Sequence, residues 1–213
     1  MRWLIATAIV ASAALARAQD PEAEGGTDVS YDHRGQFGLH VQLGTGYRVL
    51  FPYEEMPRVY CGQSEDDGDP RKVCTGRSPF FVELGLSYGI TSGLEVIADM
   101  RFGLETDFRR PTGGDAPRAL VLAPGIKVYI DDEGSTKFFS TLQAAFDFTS
   151  FDSAFAGTSD TSGTDIGVRN VNGVLIDLHR AFGVYFHFGE TIGFARWLRF
   201  EMDAGLGIQG RYP

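Results

Sequence analysis

The chain has 213 residues, of which 43% are hydrophobic, and a net charge of −9. This length suits one domain and leaves little for a second module. The acidic balance argues against nucleic-acid binding, which needs a basic surface. Beyond the N-terminus no window offers about eighteen uninterrupted apolar residues, so a helical membrane protein is not expected.

The N-terminus has the features of a secretory signal peptide. A charged start at Met1-Arg2 precedes an apolar stretch over residues 3–15 and an A-x-A site ending at Ala18. Cleavage there would remove two arginines and no acid, so the net charge would fall from −9 to about −11. Residues 19–35 are acidic and poor in apolar side chains, which predicts a flexible N-terminal lead before a domain over residues 36–213.

The first strand pattern covers residues 36–48, and a loop with prolines follows over residues 50–78. Cys61 and Cys74 both lie in this segment. In an exported protein, such a pair is most simply a disulfide, and closing the loop would stabilise the fold by about 3 kcal/mol. Metal or free-thiol chemistry is the alternative, but no His lies nearby. The acids of residues 65–69 do not follow the EF-hand spacing, which favours a solvated loop over a Ca²⁺ site.

A β-hairpin is the clearest pattern in the chain. Apolar residues alternate with polar residues and glycines over residues 80–90, and again over residues 94–105 after the turn Thr91-Ser92-Gly93. Alternation with a period of two predicts strands, because successive side chains point to opposite faces. Each arm has about the length that a tilted strand needs to cross a bilayer.

Similar patterns continue to the C-terminus. Further strands are predicted over residues 118–130, 136–148, 168–178, 182–189 and 199–212, and alternation is weakest in the first half of 168–178. Pro124 predicts a bulge or a local break in pairing, since proline has no N–H to donate. Long and short connections alternate between the eight strands. The predicted fold is an all-β, eight-stranded antiparallel up-and-down transmembrane β-barrel.

Alternation alone does not say which face is inside. Glycines crowd the polar face, where they would leave room for long neighbours in a narrow lumen, and the face mixes charges of both signs. Aromatics lie towards the ends of the apolar stripes, where an interfacial girdle belongs. A membrane barrel is therefore favoured over a soluble periplasmic barrel. It predicts a lumenal polar network of His40, Glu83, Glu95, Asp99, Arg101, Lys127, Lys137, His187, Arg199, Glu201 and Asp203.

On these features the sequence resembles the small eight-stranded outer-membrane barrels of Gram-negative bacteria. The resemblance covers about residues 36–212 and is carried by the signal peptide, the hairpins and the C-terminal strand. The alternating Leu206, Ile208 and Tyr212 are similar to the family's C-terminal insertion signal, although Pro213 and not the aromatic is last. The resemblance implies outer-membrane lipids and the outer-membrane insertion machinery as partners. It does not settle function, because the family ranges from anchors to adhesins and lipid enzymes.

No catalytic residue, metal ligand or cofactor is predicted. Barrel lipases place Ser and His on the lipid-facing surface, whereas here Ser140 and Thr45 have no His of the same parity close by in the chain. The predicted function is that of an integral outer-membrane barrel with a filled polar lumen and a structural role, or a loop-mediated role towards an extracellular ligand. The alternatives are a soluble periplasmic carrier of an apolar ligand and a narrow channel.

Overall fold

The computed structural model describes residues 31–51, 53, 73–105, 119–130, 134–148, 164–195 and 197–212. None of these segments forms a helix that is long and apolar enough to cross a bilayer. The strands are β1 (Phe37–Phe51), β2 (Cys74–Thr91), β3 (Leu94–Gly103), β4 (Leu120–Ile130), β5 (Thr136–Asp147), β6 (Asp165–His179), β7 (Phe182–Gly193) and β8 (Leu198–Tyr212).

The strands form a closed barrel in sequence order, and every neighbouring pair is antiparallel. Closure is made by β1 and β8, which pair from Phe37 with Tyr212 to Phe51 with Leu198. The predicted fold class is therefore confirmed. The turns 92–93 and 180–181, and residues 134–135 before β5, lie at the same end as Phe37 and Tyr212, here called the turn end. The opposite end is called the loop end.

Two strands begin earlier than predicted. β2 starts at Cys74 and not at residue 80, because Thr75, Gly76 and Arg77 pair with the end of β1. The alternation changes phase there: Gly44 pairs with Phe81 while Gly46 pairs with Ser78, so β2 holds an extra residue at Pro79–Phe80. β6 starts at Asp165, and β7 continues to Gly193, which shortens the last predicted loop.

Pro124 breaks the strand pairing locally, as the sequence predicts, and the structure shows that the break is on one side only. It pairs with Ala98 of β3, whereas the pairing of β4 with β5 stops at Leu122 and resumes at Gly125. The side-chain amide of Gln143 donates to the carbonyl of Ala123, 3.0 Å away. This hydrogen bond satisfies a buried backbone acceptor beside the break.

The barrel has its apolar face outside. Leu206 is 68% exposed, and most outward positions in all eight strands are apolar. The inward positions are polar and buried: Lys137, Glu95 and His187 are each 0% exposed. An interior of this kind does not fit the alternative of a carrier with an apolar cavity.

Candidate functional site: the polar lumen

The barrel interior holds buried charged side chains of both signs. Among the described residues, seven Asp and Glu and seven Lys and Arg side chains are buried. They are Glu83, Glu95, Asp99, Asp147, Asp165, Asp177 and Asp203, and Arg48, Arg101, Lys127, Lys137, Arg169, Arg199 and Arg211. Charges of this kind are tolerated away from water only when they are paired and hydrogen-bonded.

Arg101 of β3 is the centre of the largest cluster. Its Nε donates to Glu83 at 3.0 Å, its Nη1 to Glu201 at 3.0 Å, and its Nη2 to Asp203 at 2.9 Å. The guanidinium also lies 3.7 Å from the ring centroid of Phe81. A single side chain thus joins β2, β3 and β8 across the lumen.

Arg169 of β6 enlarges this cluster from the other side. Its Nη1 donates to Glu83 at 3.0 Å, and its Nη2 lies 3.6 Å from Asp203. Glu83 also accepts a hydrogen bond from Gln42, and His187 Nε2 lies 3.3 Å from Asp203. Strands on opposite walls of the barrel are therefore connected by side chains.

Asp99 is held in a smaller group beside this cluster. His40 Nε2 lies 2.9 Å from Asp99 Oδ1, and Gln143 donates to Asp99 Oδ2 at 2.6 Å. Nearer the loop end, Arg199 pairs with Asp147 and lies 3.7 Å from Asp165. A cavity of about 30 Å³ remains among these groups, lined by Arg48, Asp147 and others. That space holds about two water molecules.

At the turn end the chain before β1 folds back into the lumen. Gly35 adopts a positive φ of 72°, and its N–H donates to the carbonyl of Gly89 at 2.8 Å. Gly89 in turn donates to the carbonyl of Gln36 at 3.0 Å. These bonds place residues 31–36, called the N-terminal segment below, against the inside of β2.

His33 is the buried residue of the N-terminal segment, with 2% of its surface exposed. Its Nδ1 lies 3.2 Å from Glu95, and its Nε2 lies 3.1 Å from Asp177. Lys137 Nζ lies 2.9 Å from the same Nε2 and also donates to the carbonyl of Tyr31. The ring packs edge-on against Tyr129 with centroids 5.0 Å apart.

Glu95 connects this segment to the barrel wall. It accepts hydrogen bonds from Arg211 Nη1 at 2.5 Å and from Tyr129 Oη at 3.1 Å, and Lys127 Nζ lies 4.0 Å away. The predicted lead of residues 19–35 differs from the structure at its C-terminal end, because residues 31–35 are held by the barrel. Residues 19–30 lie outside the described part of the chain.

The comparisons with known proteins bear on this architecture. No protein-family model matches the chain, and no curated protein sequence matches it. Among solved structures, the N-terminal β-barrel domain of Pseudomonas aeruginosa OprF matches with a TM-score of 0.53 and 10% identity, covering 84% of this chain and 98% of that one. Neisserial surface protein A matches with a TM-score of 0.54 and 13% identity, covering 82% of this chain and 97% of that one. The fold is that of the small eight-stranded outer-membrane barrels.

Within this outer-membrane barrel fold, all eleven side chains predicted to form the network point inward. Ten of them are buried, and the side chain of Glu201 is 11% exposed. Each one has an ion-pair or hydrogen-bond contact in the clusters described above. Lys127 has the longest ion pair among them, at 4.0 Å.

Several members of the network were missed in the sequence. Arg169 lies in the half of β6 that alternates poorly, and His33 lies in a segment with no strand pattern. Asp177 and Arg211 were also not predicted. They occupy inward positions of β6 and β8, so the alternation of the sequence could have identified them. For His33 there was no signal, because its burial depends on a chain reversal outside the alternating pattern.

The remaining predicted residues lie elsewhere. Leu206, Ile208 and Tyr212 project outward from β8 and are 68%, 40% and 63% exposed. Cys74 is the first residue of β2. Cys61 and the acidic run 65–69 lie outside the described residues, so the disulfide and the absence of a Ca²⁺ site stay predictions.

Proposed function

We propose that the protein is a non-enzymatic, integral outer-membrane β-barrel whose lumen is closed by side chains. The observation that carries this proposal is the inverted distribution of polarity: an apolar belt outside and a network of paired acids and bases inside. An apolar outer surface is stable in lipid, and a β-barrel satisfies its backbone hydrogen bonds without water.

A structural role, or an interaction made by the loops, follows from the way the lumen is occupied. Among the described residues, ion pairs at the turn end, at the centre and near the loop end support a lumen that is filled by side chains. An eight-stranded barrel is only wide enough for side chains to occupy its interior. The connections at the loop end are then the parts of the chain that would contact a ligand outside the cell.

The deciding experiment is gel mobility of protein from a purified outer-membrane fraction, with and without boiling in detergent. We expect a shift on boiling, because the closed barrel resists the detergent when cold. Recovery in the soluble periplasmic fraction without a shift would overturn the proposal. Conductance steps in planar bilayers would overturn the closed lumen and favour the narrow channel.

Export through a cleaved signal peptide and a Cys61–Cys74 disulfide belong to the same proposal. Both are supported by the sequence features given above and by the outer-membrane barrel fold. Intact mass of the purified protein should correspond to a chain beginning at Gln19. Thiol labelling of the unfolded, unreduced protein should modify neither cysteine, and labelling of both would contradict the disulfide.

A further inference from the structure

The N-terminal segment covers the turn end of the lumen but is attached to it by few side chains. Of residues 31–36, all within the described chain, only His33 is buried, while Asp32, Arg34 and Gly35 are exposed. The segment is therefore held mainly by polar contacts. The net stability that such contacts contribute is small, because water replaces each hydrogen bond when the segment leaves. Regions held in this way open locally while the rest of a protein stays folded.

The acids that bind His33 keep other partners when the imidazole is removed. Glu95 accepts a hydrogen bond from Arg211 Nη1 at 2.5 Å. Asp177 Oδ2 lies 3.2 Å from Lys137 Nζ. Departure of the segment therefore leaves neither carboxylate as a buried, unpaired charge, which would be strongly destabilising. The site that holds the segment is stable without it.

The connection between the segment and β1 can serve as a hinge. Gly35 has a φ of 72°, and a Cβ at this position would meet no atom within 4 Å. Glycine adopts positive and negative φ about equally well, so the chain can change direction here without steric cost. Two backbone hydrogen bonds would break on opening, one from Gly35 to Gly89 and one from Gly89 to Gln36.

The part of the lumen behind the segment is closed off from the turn end by the segment itself. Ser87 is the next inward residue of β2 after Gly89, and 4% of its surface is exposed. Its Oγ lies 3.4 Å from Gln209 Nε2. Deeper in the lumen, Arg101 is held by three carboxylates of the barrel wall and does not depend on the segment.

We propose that residues 31–36 are a lid, which opens the turn-end half of the lumen while the strands stay paired. His33 holds the lid closed through its contacts with Glu95 and Asp177. Because the Arg101 cluster stays in place, opening produces a chamber with one mouth and not a channel. If the barrel lies in the outer membrane with its loops outside, as proposed above, this mouth faces the periplasm.

The first test is thiol labelling of the full chain in detergent micelles with a water-soluble maleimide. Ser87→Cys places a thiol directly behind the lid. Ser78→Cys places one in the same strand near the loop end, where Ser78 is 2% exposed. Digestion and mass spectrometry identify the labelled residue. Adding His33→Ala should increase the labelling rate of Ser87→Cys by about tenfold or more and leave that of Ser78→Cys unchanged.

Arg34→Ala is the matched control for His33→Ala, because Arg34 lies in the same segment but is exposed. It should change neither labelling rate. Equal labelling of Ser87→Cys with and without His33 overturns the lid. An equal increase at both thiols also overturns it, because the whole barrel would then have become less stable.

The second test keeps His33 and measures whether the lid opens in the folded barrel. Labelling of Ser87→Cys is followed at increasing urea concentrations below the unfolding midpoint. A local opening exposes little surface, so the labelling rate should depend only weakly on urea. A dependence as steep as that of global unfolding would mean that residues 31–36 leave only when the barrel unfolds, which refutes the lid.

The gel shift on boiling separates this proposal from the proposed function. Protein that shows the shift, but whose Ser87→Cys labelling does not respond to His33→Ala, refutes the lid alone. Protein without a shift and outside the membrane refutes the membrane barrel, and the same labelling comparison in buffer then decides the lid. For the membrane barrel, the shift also shows that each variant is folded.

Discussion

Arg101 has an unusual number of partners for one residue. Its guanidinium meets three carboxylates, those of Glu83, Glu201 and Asp203, at 2.9–3.0 Å. Glu83 and Asp203 are buried, so each depends on a cation for its stability. Truncation of such a partner costs more than its hydrogen bonds alone, because uncompensated buried charges remain.

Arg101→Ala should therefore destabilise the barrel by about 3–5 kcal/mol. Urea unfolding in detergent, followed by the change in gel mobility, measures the effect. Arg77→Ala is the matched control: Arg77 pairs with Glu105 at 2.7 Å, but their side chains are 54% and 40% exposed. An exposed pair contributes at most about 1 kcal/mol. Equal unfolding midpoints for the two variants would contradict this account of the lumen.

The alternation of the sequence was enough to place most members of the network on the inner face, but it did not show which side chains pair with each other. A residue such as Glu83 can be placed on the inner face from alternation alone, since the side-chain period in a strand is two. That Glu83 meets Arg101 and Arg169 depends on the register and shear of the barrel, which no local pattern contains. Arg169 was missed because the outward neighbours in its strand are Asn170 and Asn172, which remove the apolar half of the alternation.

At the level of elements, the N-terminal segment packs closely against β2. Gly89 has no side chain, and a Cβ at that position would lie 2.0 Å from the carbonyl oxygen of His33. Because the obstructing atom belongs to the backbone, a larger residue cannot be accommodated by a rotamer change. The glycine is therefore required for residues 31–36 to lie inside the barrel.

Gly89→Ala should displace the N-terminal segment while the strands remain paired. Overpacking of this kind costs about 1–3 kcal/mol. Amide exchange at Gly35, whose N–H bonds to Gly89, should then become roughly tenfold faster or more.

The control for Gly89→Ala is Gly76→Ala in the same strand, since a Cβ at Gly76 meets no atom within 4 Å. Exchange at Gly35 should be unchanged in that variant. Unchanged exchange in Gly89→Ala as well would mean that residues 31–36 are not held by this contact.

The limits of two strands were predicted wrongly because a local feature disturbs the alternation there. The start of β2 was missed because the extra residue at Pro79–Phe80 shifts the alternation, so that inward residues change from even to odd numbers. The C-terminal end of β7 was missed because Glu190 places a charge among outward residues that are otherwise apolar. Both departures come from a local feature, an extra residue in one case and an outward carboxylate in the other.

At the level of the whole molecule, the barrel is inverted in polarity, with apolar side chains outside and polar side chains inside. The same leucine-to-lysine substitution at two positions of the outer face can test whether lipid covers that face. Leu206 lies near the middle of β8 and is 68% exposed, whereas Leu178 lies at the turn end of β6 and is 61% exposed. In a soluble barrel these two exposed leucines would be equivalent. In a membrane they would not be, because only Leu206 would lie near the bilayer midplane.

Leu206→Lys should cost about 2–4 kcal/mol in lipid vesicles, and Leu178→Lys about 0–1 kcal/mol. Unfolding by urea from vesicles measures both values against the wild type. A surface substitution in a soluble protein usually stays within about 0.5 kcal/mol, so two small and equal effects would show that water covers this surface. A large cost confined to Leu206 requires that the outer face is buried in lipid, which is the condition for the polar lumen to lie inside a membrane-spanning barrel as proposed.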